Sequence, residues 1–486
     1  MTDAAMTQPK PEKRQQLKFL DELEAFADST TFHGVTYAFK QNAFVIRRII
    51  WAVIVMASVA ACLWQVSLAV DQYLQYDTVN SISTKKHESM AFPAITICNM
   101  NAMRKSYVDA LGPLVTQLMQ AVVFEQTVFT RTGAVQQDVS EASAAALGIV
   151  ANAVNSTFYE YVRDAAHQAE GLFLYCQQKG EFNCLPYVTP AFLIFGMCYT
   201  FNARDRLLPV RQTQDGTEAG ISLVLNVDTD QYFAPFAKDM FGLQIRIHDP
   251  DDFPQMDGGD ILLAPGTDVN LSLQKQVVHN LKKPYSEVDC NDDPGYSYIV
   301  CRSECAQRQV FTCGNCSIAS DSDAPCPFLQ GSQCYATNSN LWFSRHNQCD
   351  CPNQCRVTRY EYKVSTARFP NRFATQFYTS QPNWPFNSTE SIHRNAISLT
   401  VYYETLTTEE IYEHPLVNQW QLFSTVGGLM GLFIGCSTMT LFELPDFLIV
   451  FLRKKLRNRH VKVEDNATQI EVHEPTESSD KVTMDQ

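Results

Sequence analysis

A chain of 486 residues, 45% of them hydrophobic, has room for one large domain or two to three ordinary ones. Its formal net charge of -14 argues against nucleic-acid binding. No phosphate loop, zinc motif or nucleophile elbow points to an enzyme.

Residues 1–20 are polar and rich in Lys and Gln, and read as disordered. An amphipathic stretch, Asp21 to Phe44, is interrupted by His33-Gly34. Ile49 to Val70 then offers 22 residues without a charge, enough to cross a bilayer. It starts too late and runs too long for a cleaved signal peptide. Residues 71–415 form a long loop. Leu111, Leu114, Val115, Leu118 and Val122 show helical spacing inside a helix-rich stretch, 103–175. Ile221, Leu223 and Leu225 alternate with more polar neighbours, as do Leu243, Ile245 and Ile247, which predicts strands. Ten cysteines crowd into residues 290–355, and a last strand is expected over Ala396 to Tyr403.

The second apolar segment, Leu416 to Phe442 within a span of 416–452, differs in kind from the first. It carries Gly427, Gly428, Gly431, Gly435 and Ser437 and ends at Glu443. Small residues allow close helix approach, and polar groups at membrane depth are tolerated only against protein or a water-filled path. The segment reads as a pore wall; the alternative is a small-residue interface between two lipid-embedded helices.

Flanking charge sets the orientation. Lys40, Arg47 and Arg48 precede the first span, and Arg453, Lys454, Lys455, Arg457 and Arg459 follow the second. The positive-inside rule puts residues 1–48 and the acidic tail 453–486 in the cytoplasm, in a multi-pass protein of the plasma membrane. The loop is then extracellular. Fourteen of the 16 cysteines lie in it, the others being Cys62 and Cys436 in the spans, which predicts a disulfide framework whose pairing spacing cannot give. A metal site is a poor alternative, because extracellular thiols oxidise and no histidines repeat beside them. Glycosylation sequons stand in the loop at Asn155, Asn270, Asn315 and Asn387; Asn466 fits the pattern on the cytoplasmic side, where it stays bare. The expected fold is a membrane protein with two transmembrane helices and a large disulfide-rich α+β extracellular domain.

Five motifs in order carry a family resemblance: His33-Gly34, Phe92-Pro93-Ala94-Ile95-Thr96-Ile97-Cys98-Asn99, Gly196-Met197-Cys198-Tyr199-Thr200-Phe201-Asn202, Cys349-Asp350-Cys351-Pro352-Asn353-Gln354-Cys355, and Gly427-Gly428 through Gly435-Cys436-Ser437 to Glu443. The chain resembles the degenerin, epithelial sodium channel and acid-sensing ion channel superfamily. The resemblance implies a β-sheet core with helical thumb and finger regions, and a homotrimer or a heterotrimer with related subunits. The implied activity is sodium-selective, amiloride-sensitive conduction, with no cofactor and sodium as the permeant ion. It assigns the selectivity filter to Gly435, Cys436 and Ser437, and the pore and gate to Ser424, Thr425, Gly428, Gly431 and Glu443. Filters of this kind need oxygens converging about an axis. Glu443 would add an acidic ring, or else snorkel at the interface.

Two positions depart from the family pattern. Thr425 replaces an Asp of acid-sensing members, and Pro445 is expected to kink the pore exit. His33 and Gly34 are implied in gating at the cytoplasmic vestibule, and Tyr76 in coupling the thumb to the first span, unless it is simply an interfacial tyrosine. The implied disulfides are Cys98–Cys198, Cys176–Cys184, Cys290–Cys355, Cys301–Cys351, Cys305–Cys349, Cys313–Cys334 and Cys316–Cys326. The trigger stays open between protons, a peptide and none. Asp77-Thr78 stand where proton-gated relatives have histidines, and whether Asp249, Asp251, Asp252, Asp257 and Asp260 cluster is not legible. An ATP-gated trimeric channel would need more basic residues than Lys85-Lys86 offer after the first span. A two-span receptor without a pore leaves the glycine-rich segment unexplained.

Overall fold

The structure, a computed structural model, describes residues 24, 27–28, 30, 32–40, 43–121, 141–178, 181–193, 196–208, 211–233, 240–254, 256, 260–287, 289–310, 312–318, 324–335, 349–435, 437, 439–440, 442–443 and 445–453. Its main helices are α1 Val35–Phe39, α2 Val45–Leu74, α3 Lys105–Ala110, α4 Glu141–Val154, α5 Phe158–Ala165, α6 Tyr298–Val310, α7 Arg372–Ser380, α8 Thr389–Asn395 and α9 Gln419–Ile434. Its main strands are β1 Thr78–Lys86, β2 Ala94–Asn99, β3 Phe173–Gln177, β4 Glu181–Phe182, β5 Val188–Leu193, β6 Gly196–Phe201, β7 Ile221–Asn226, β8 Leu243–His248, β9 Ile261–Leu263, β10 Thr267–His279, β11 Arg356–Arg368 and β12 Ala396–Pro415. The chain divides into two compact units, Met1–Thr78 with Pro415–Gln486, and Val79–His414.

In the first unit, α2 is the one helix among the described residues that is long and apolar enough to cross a membrane. It extends four residues beyond each end of the expected 49–70 span, to 30 residues. At about 1.5 Å per residue that is roughly 45 Å, more than the ~30 Å hydrocarbon layer. No Gly or Pro interrupts it, and it stops just before Tyr76, whose φ of 54° is left-handed. The second apolar segment is not the single helix its sequence suggested. Asn418 caps α9 by accepting from the Gln421 N–H, and the helix ends after 16 residues at Gly435, with φ 67°. A left-handed residue is the commonest way to stop a helix, and glycine adopts it without strain. Helix resumes beyond, and Pro445 is helical. The interruption stands ten residues before that proline.

The second unit is built on two sheets. One runs β11-β10-β12-β7-β3-β4, with β1 also paired to β12; the other runs β9-β8-β2-β6-β5. β2 and β6 are buried at every position, as expected of strands covered on both faces. Ile95, Ile97, Phe201, Leu223, Leu225, Leu271, Leu399 and Tyr403 are among the side chains that meet in one core. β12 extends to Pro415, twelve residues past the predicted end of that strand. Its parallel register against β10 jumps from Leu273↔Tyr403 to Lys275↔Thr408, so Glu404 to Thr407 bulge out. A second core joins α3, α4 and α5 through Val108, Val150, Phe158 and Tyr161. Thr157 caps α5 in a capping box with Glu160. Val122 lies outside the described residues.

One polar group inside the core is fully accounted for. Thr96 Oγ1 lies 2.8 Å from both Thr200 Oγ1 and His248 Nε2. His248 Nδ1 is 2.8 Å from the Asp249 carbonyl, so Nδ1 donates and Nε2 accepts from Thr96. Burial pushes this imidazole down to about 4.

Candidate functional site

The interruption at Gly435 is packed by the N-terminal segment of the same unit. The His33 N–H donates to the Ile434 carbonyl at 3.1 Å. A Cβ on Gly435 would stand 1.5 Å from His33 Nδ1, so the imidazole fills the space that a side chain there would need. Gly34, with φ 85°, lets the chain turn into α1, and its own Cβ would meet Val55 at 3.1 Å. The segment is fastened along α2 by Tyr37 against Trp51, with centroids 4.7 Å apart, and by Arg48 Nε donating to the Ala38 carbonyl at 3.2 Å. Thr30 Oγ1 donates to Glu443 Oε2 at 3.0 Å. The two motifs at opposite ends of the sequence thus meet, and Thr30, which the sequence did not single out, joins them.

Among the remaining pore candidates, Ser424 and Thr425 are exposed on α9. Thr425 lines a cavity of about 190 Å³ with Ala69, Gln72 and Gln421. A Cβ on Gly428 would meet nothing within 4 Å, so that face of α9 is open within the subunit. Gly431 accepts the Gly435 N–H at 3.0 Å. The Ser437 N–H is taken by Thr440 Oγ1 at 2.9 Å. Cys436 lies outside the described residues. Tyr76 packs at a tilt against Tyr73, centroids 5.9 Å apart, and the adjacent Asp77 carbonyl accepts from the Leu416 N–H at 2.8 Å.

In the second unit the fourteen loop cysteines form seven disulfides: Cys98–Cys198, Cys176–Cys184, Cys290–Cys355, Cys301–Cys351, Cys305–Cys349, Cys313–Cys334 and Cys316–Cys326. Of the sequons, Asn155, Asn315 and Asn387 are exposed, whereas Asn270 is half-buried in β10 and paired on both sides. The acidic residues separate by partner. Asp260 receives Gln244 Nε2 at 2.6 Å and Arg246 at 3.3 Å, and Asp251 pairs with Arg204 at 3.3 Å. Asp252 is different: Ser297, just before α6, donates its hydroxyl at 2.7 Å. Burial raises the Asp252 carboxyl, with Asp249 and Asp251 adding to the shift against the opposing Ser297 hydrogen bond. Asp257 lies outside the described residues.

Comparison with known proteins fits this arrangement. The profile of the amiloride-sensitive sodium channel family matches residues 26–447. The chain is 27% identical over 469 residues to acid-sensing ion channel 2 of Homo sapiens, covering 92% of this chain and 90% of that protein. It is 28% identical to acid-sensing ion channel 1B of Danio rerio, covering 91% and 80%. To acid-sensing ion channel 1 of Gallus gallus it is 27% identical, covering 90% and 85%. The chain belongs to the amiloride-sensitive sodium channel family, and is a membrane channel protein rather than an enzyme.

Proposed function

We propose that this chain is one subunit of a trimeric, sodium-selective, amiloride-sensitive channel opened by extracellular protons. Both termini are cytoplasmic, and α9 with the residues beyond it forms the second span. The observation that carries the reading is the interruption of the second apolar segment at Gly435, packed by His33. Broken helix at membrane depth is tolerated where it meets protein or water, not lipid. A single subunit supplies too few oxygens to coordinate a cation, and the open face at Gly428 suits close packing of further copies about an axis. In that assembly Gly435, Cys436 and Ser437 form the constriction, Ser424 the gate and Glu443 an acidic ring below.

Protons are favoured over a peptide by two observations. The relatives named above are acid-sensing channels. Asp252 is a carboxyl raised by burial and held against α6. Because burial raises this carboxyl against the opposing Ser297 hydrogen bond, proton uptake favours the buried position of Asp252 as pH falls. Acid then favours burial of the 249–252 loop beside Ser297.

The test is whole-cell recording during fast pH drops, with and without amiloride, on wild type and Ser424→Phe. A large side chain in three copies at the gate should hold the pore open, giving a standing sodium current. Silence from both proteins at verified surface expression would overturn the channel reading. A current in Ser424→Phe with no response of wild type to acid would leave the pore and refute the proton trigger.

A further inference from the structure

Along β1, β12, β10 and β11 one row of side chains is tied together in a way that neither the pore nor the Asp252 contact uses. Lys85 Nζ of β1 lies 2.6 Å from Glu410 Oε2 of β12. The Tyr412 hydroxyl donates to that same carboxylate oxygen. The His279 ring of β10 lies flat on Tyr412, centroids 4.2 Å apart and planes 9° from parallel. Arg356 of β11 is the register partner of His279 on its other side. His414 stacks beyond Tyr412 at 6.3 Å and touches Ser81 of β1 at 2.9 Å. Glu410 is buried, and His279 Nε2 is closed off from solvent with no hydrogen-bond partner.

We propose that Lys85, Glu410, Tyr412 and His279 form an acid-released latch that clips β1 to β12 and β10. These are the strands covalently continuous with the two apolar segments, since β1 follows α2 and β12 precedes α9. The latch needs a neutral imidazole. A proton on His279 would have no acceptor at Nε2 and would enter a row already holding the cations Lys85 and Arg356 against the single carboxylate Glu410. Burial is the largest influence holding this imidazole below its ordinary value, Lys85 and Arg356 add to it, and Glu410 opposes.

The sign follows from linkage. With the latch closed the imidazole titrates lower than when released, so the released state takes up protons first. The latch is fully stable above the ordinary histidine value and weakens as pH falls through it. A free imidazole, titrating near about 6.5, is roughly ten-to-one charged a pH unit lower, which caps the shift toward release at about tenfold. The latch does not depend on what opens the channel.

Hydrogen–deuterium exchange on the purified full-length protein in nanodiscs, at pH 7.5 and 5.5 with intrinsic rates corrected, tests this directly. Peptides covering residues 78–86 and 408–414 should exchange faster at the lower pH, by up to about tenfold beyond any change in those covering β7, which report global opening. His279→Phe keeps an aromatic ring on Tyr412 but cannot titrate, so the pH difference should vanish. Glu410→Gln should give fast exchange at both values. Equal protection of β1 at the two pH values in wild type would overturn the latch. So would a pH difference that survives in His279→Phe, or unchanged protection in Glu410→Gln. If β7 loses protection in His279→Phe, the fold has been damaged, and His279→Gln is read by the same criteria.

Discussion

Gly435→Ala is the substitution whose cost the structure defines best. The added Cβ would lie 1.5 Å from His33 Nδ1, so the ring must retreat by roughly 2 Å to reach ordinary contact. Retreat is hard while the His33 N–H is bonded to the Ile434 carbonyl. Losing that bond costs about 1 kcal/mol. Holding alanine at a φ of 67° adds about 1–2 kcal/mol. The sum is about 2–3 kcal/mol, enough to displace the N-terminal segment from the interruption. The assay is the thermal unfolding midpoint of the full-length protein in detergent for Gly435→Ala, His33→Gly and the double variant. Removing the imidazole relieves the clash but not the backbone strain, so the double variant should melt above Gly435→Ala and below wild type. If the two single effects simply add, the side chains are independent and the reasoning fails.

Other consequences are equally direct. Thr30→Val removes the donor to Glu443, and a hydrogen bond to a carboxylate contributes about 1.5–3 kcal/mol. Thr30→Val and Glu443→Gln should therefore shift cation permeability ratios in the same direction and non-additively; additive shifts would mean that Thr30 does not act through Glu443. His248 and His167 are both pushed down to about 4 by burial, so their neutral forms stabilise the fold fully above pH ~6.5 and lose that contribution as pH falls toward 4. The melting midpoint should decline over that window, and His248→Gln should flatten part of the decline; a profile indifferent to His248 would refute its part. Cys98→Ser with Cys198→Ser opens a crosslink of sequence separation 100 inside the second sheet, which chain-entropy reasoning values at about 4–5 kcal/mol. Surface delivery of that variant should collapse, and normal delivery would contradict the estimate.

Much of this was legible in the sequence, for reasons that can be named. The alternation of Ile221, Leu223 and Leu225 marked β7, because period two follows from the pleat. The cysteine pairs came only from family resemblance, since spacing cannot choose among the pairings of fourteen residues. β12 was read twelve residues short because Glu404 to Thr407 break its alternation in the middle. Pro445 drew the expectation of a kink at the pore exit, whereas the helix break at Gly435 was not foreseen. A proline removes one hydrogen bond, but a left-handed glycine reverses the turn of the chain and ends the helix. Thr30 and Glu443 are 413 residues apart, and nothing local to either announces the other. His279 and Tyr412 were invisible for the same reason, although each sits in an ordinary strand.

The bulge at Glu404 to Thr407 has a mechanical consequence. A strand of uniform register is a rigid ruler, and sliding one end drags the other. Here the four residues Glu404 to Thr407 stand opposite the single residue Gln274, a surplus of three, and separate a half whose Leu399 and Val401 are locked in the core from a more polar half. The bulge is pinned rather than loose, because Leu406 is buried in the same core, its N–H donates to Asp215 at 2.8 Å and its carbonyl accepts from His87 at 2.8 Å. The register of the polar half is therefore set independently of the buried half, with Leu406 as the fixed point between them.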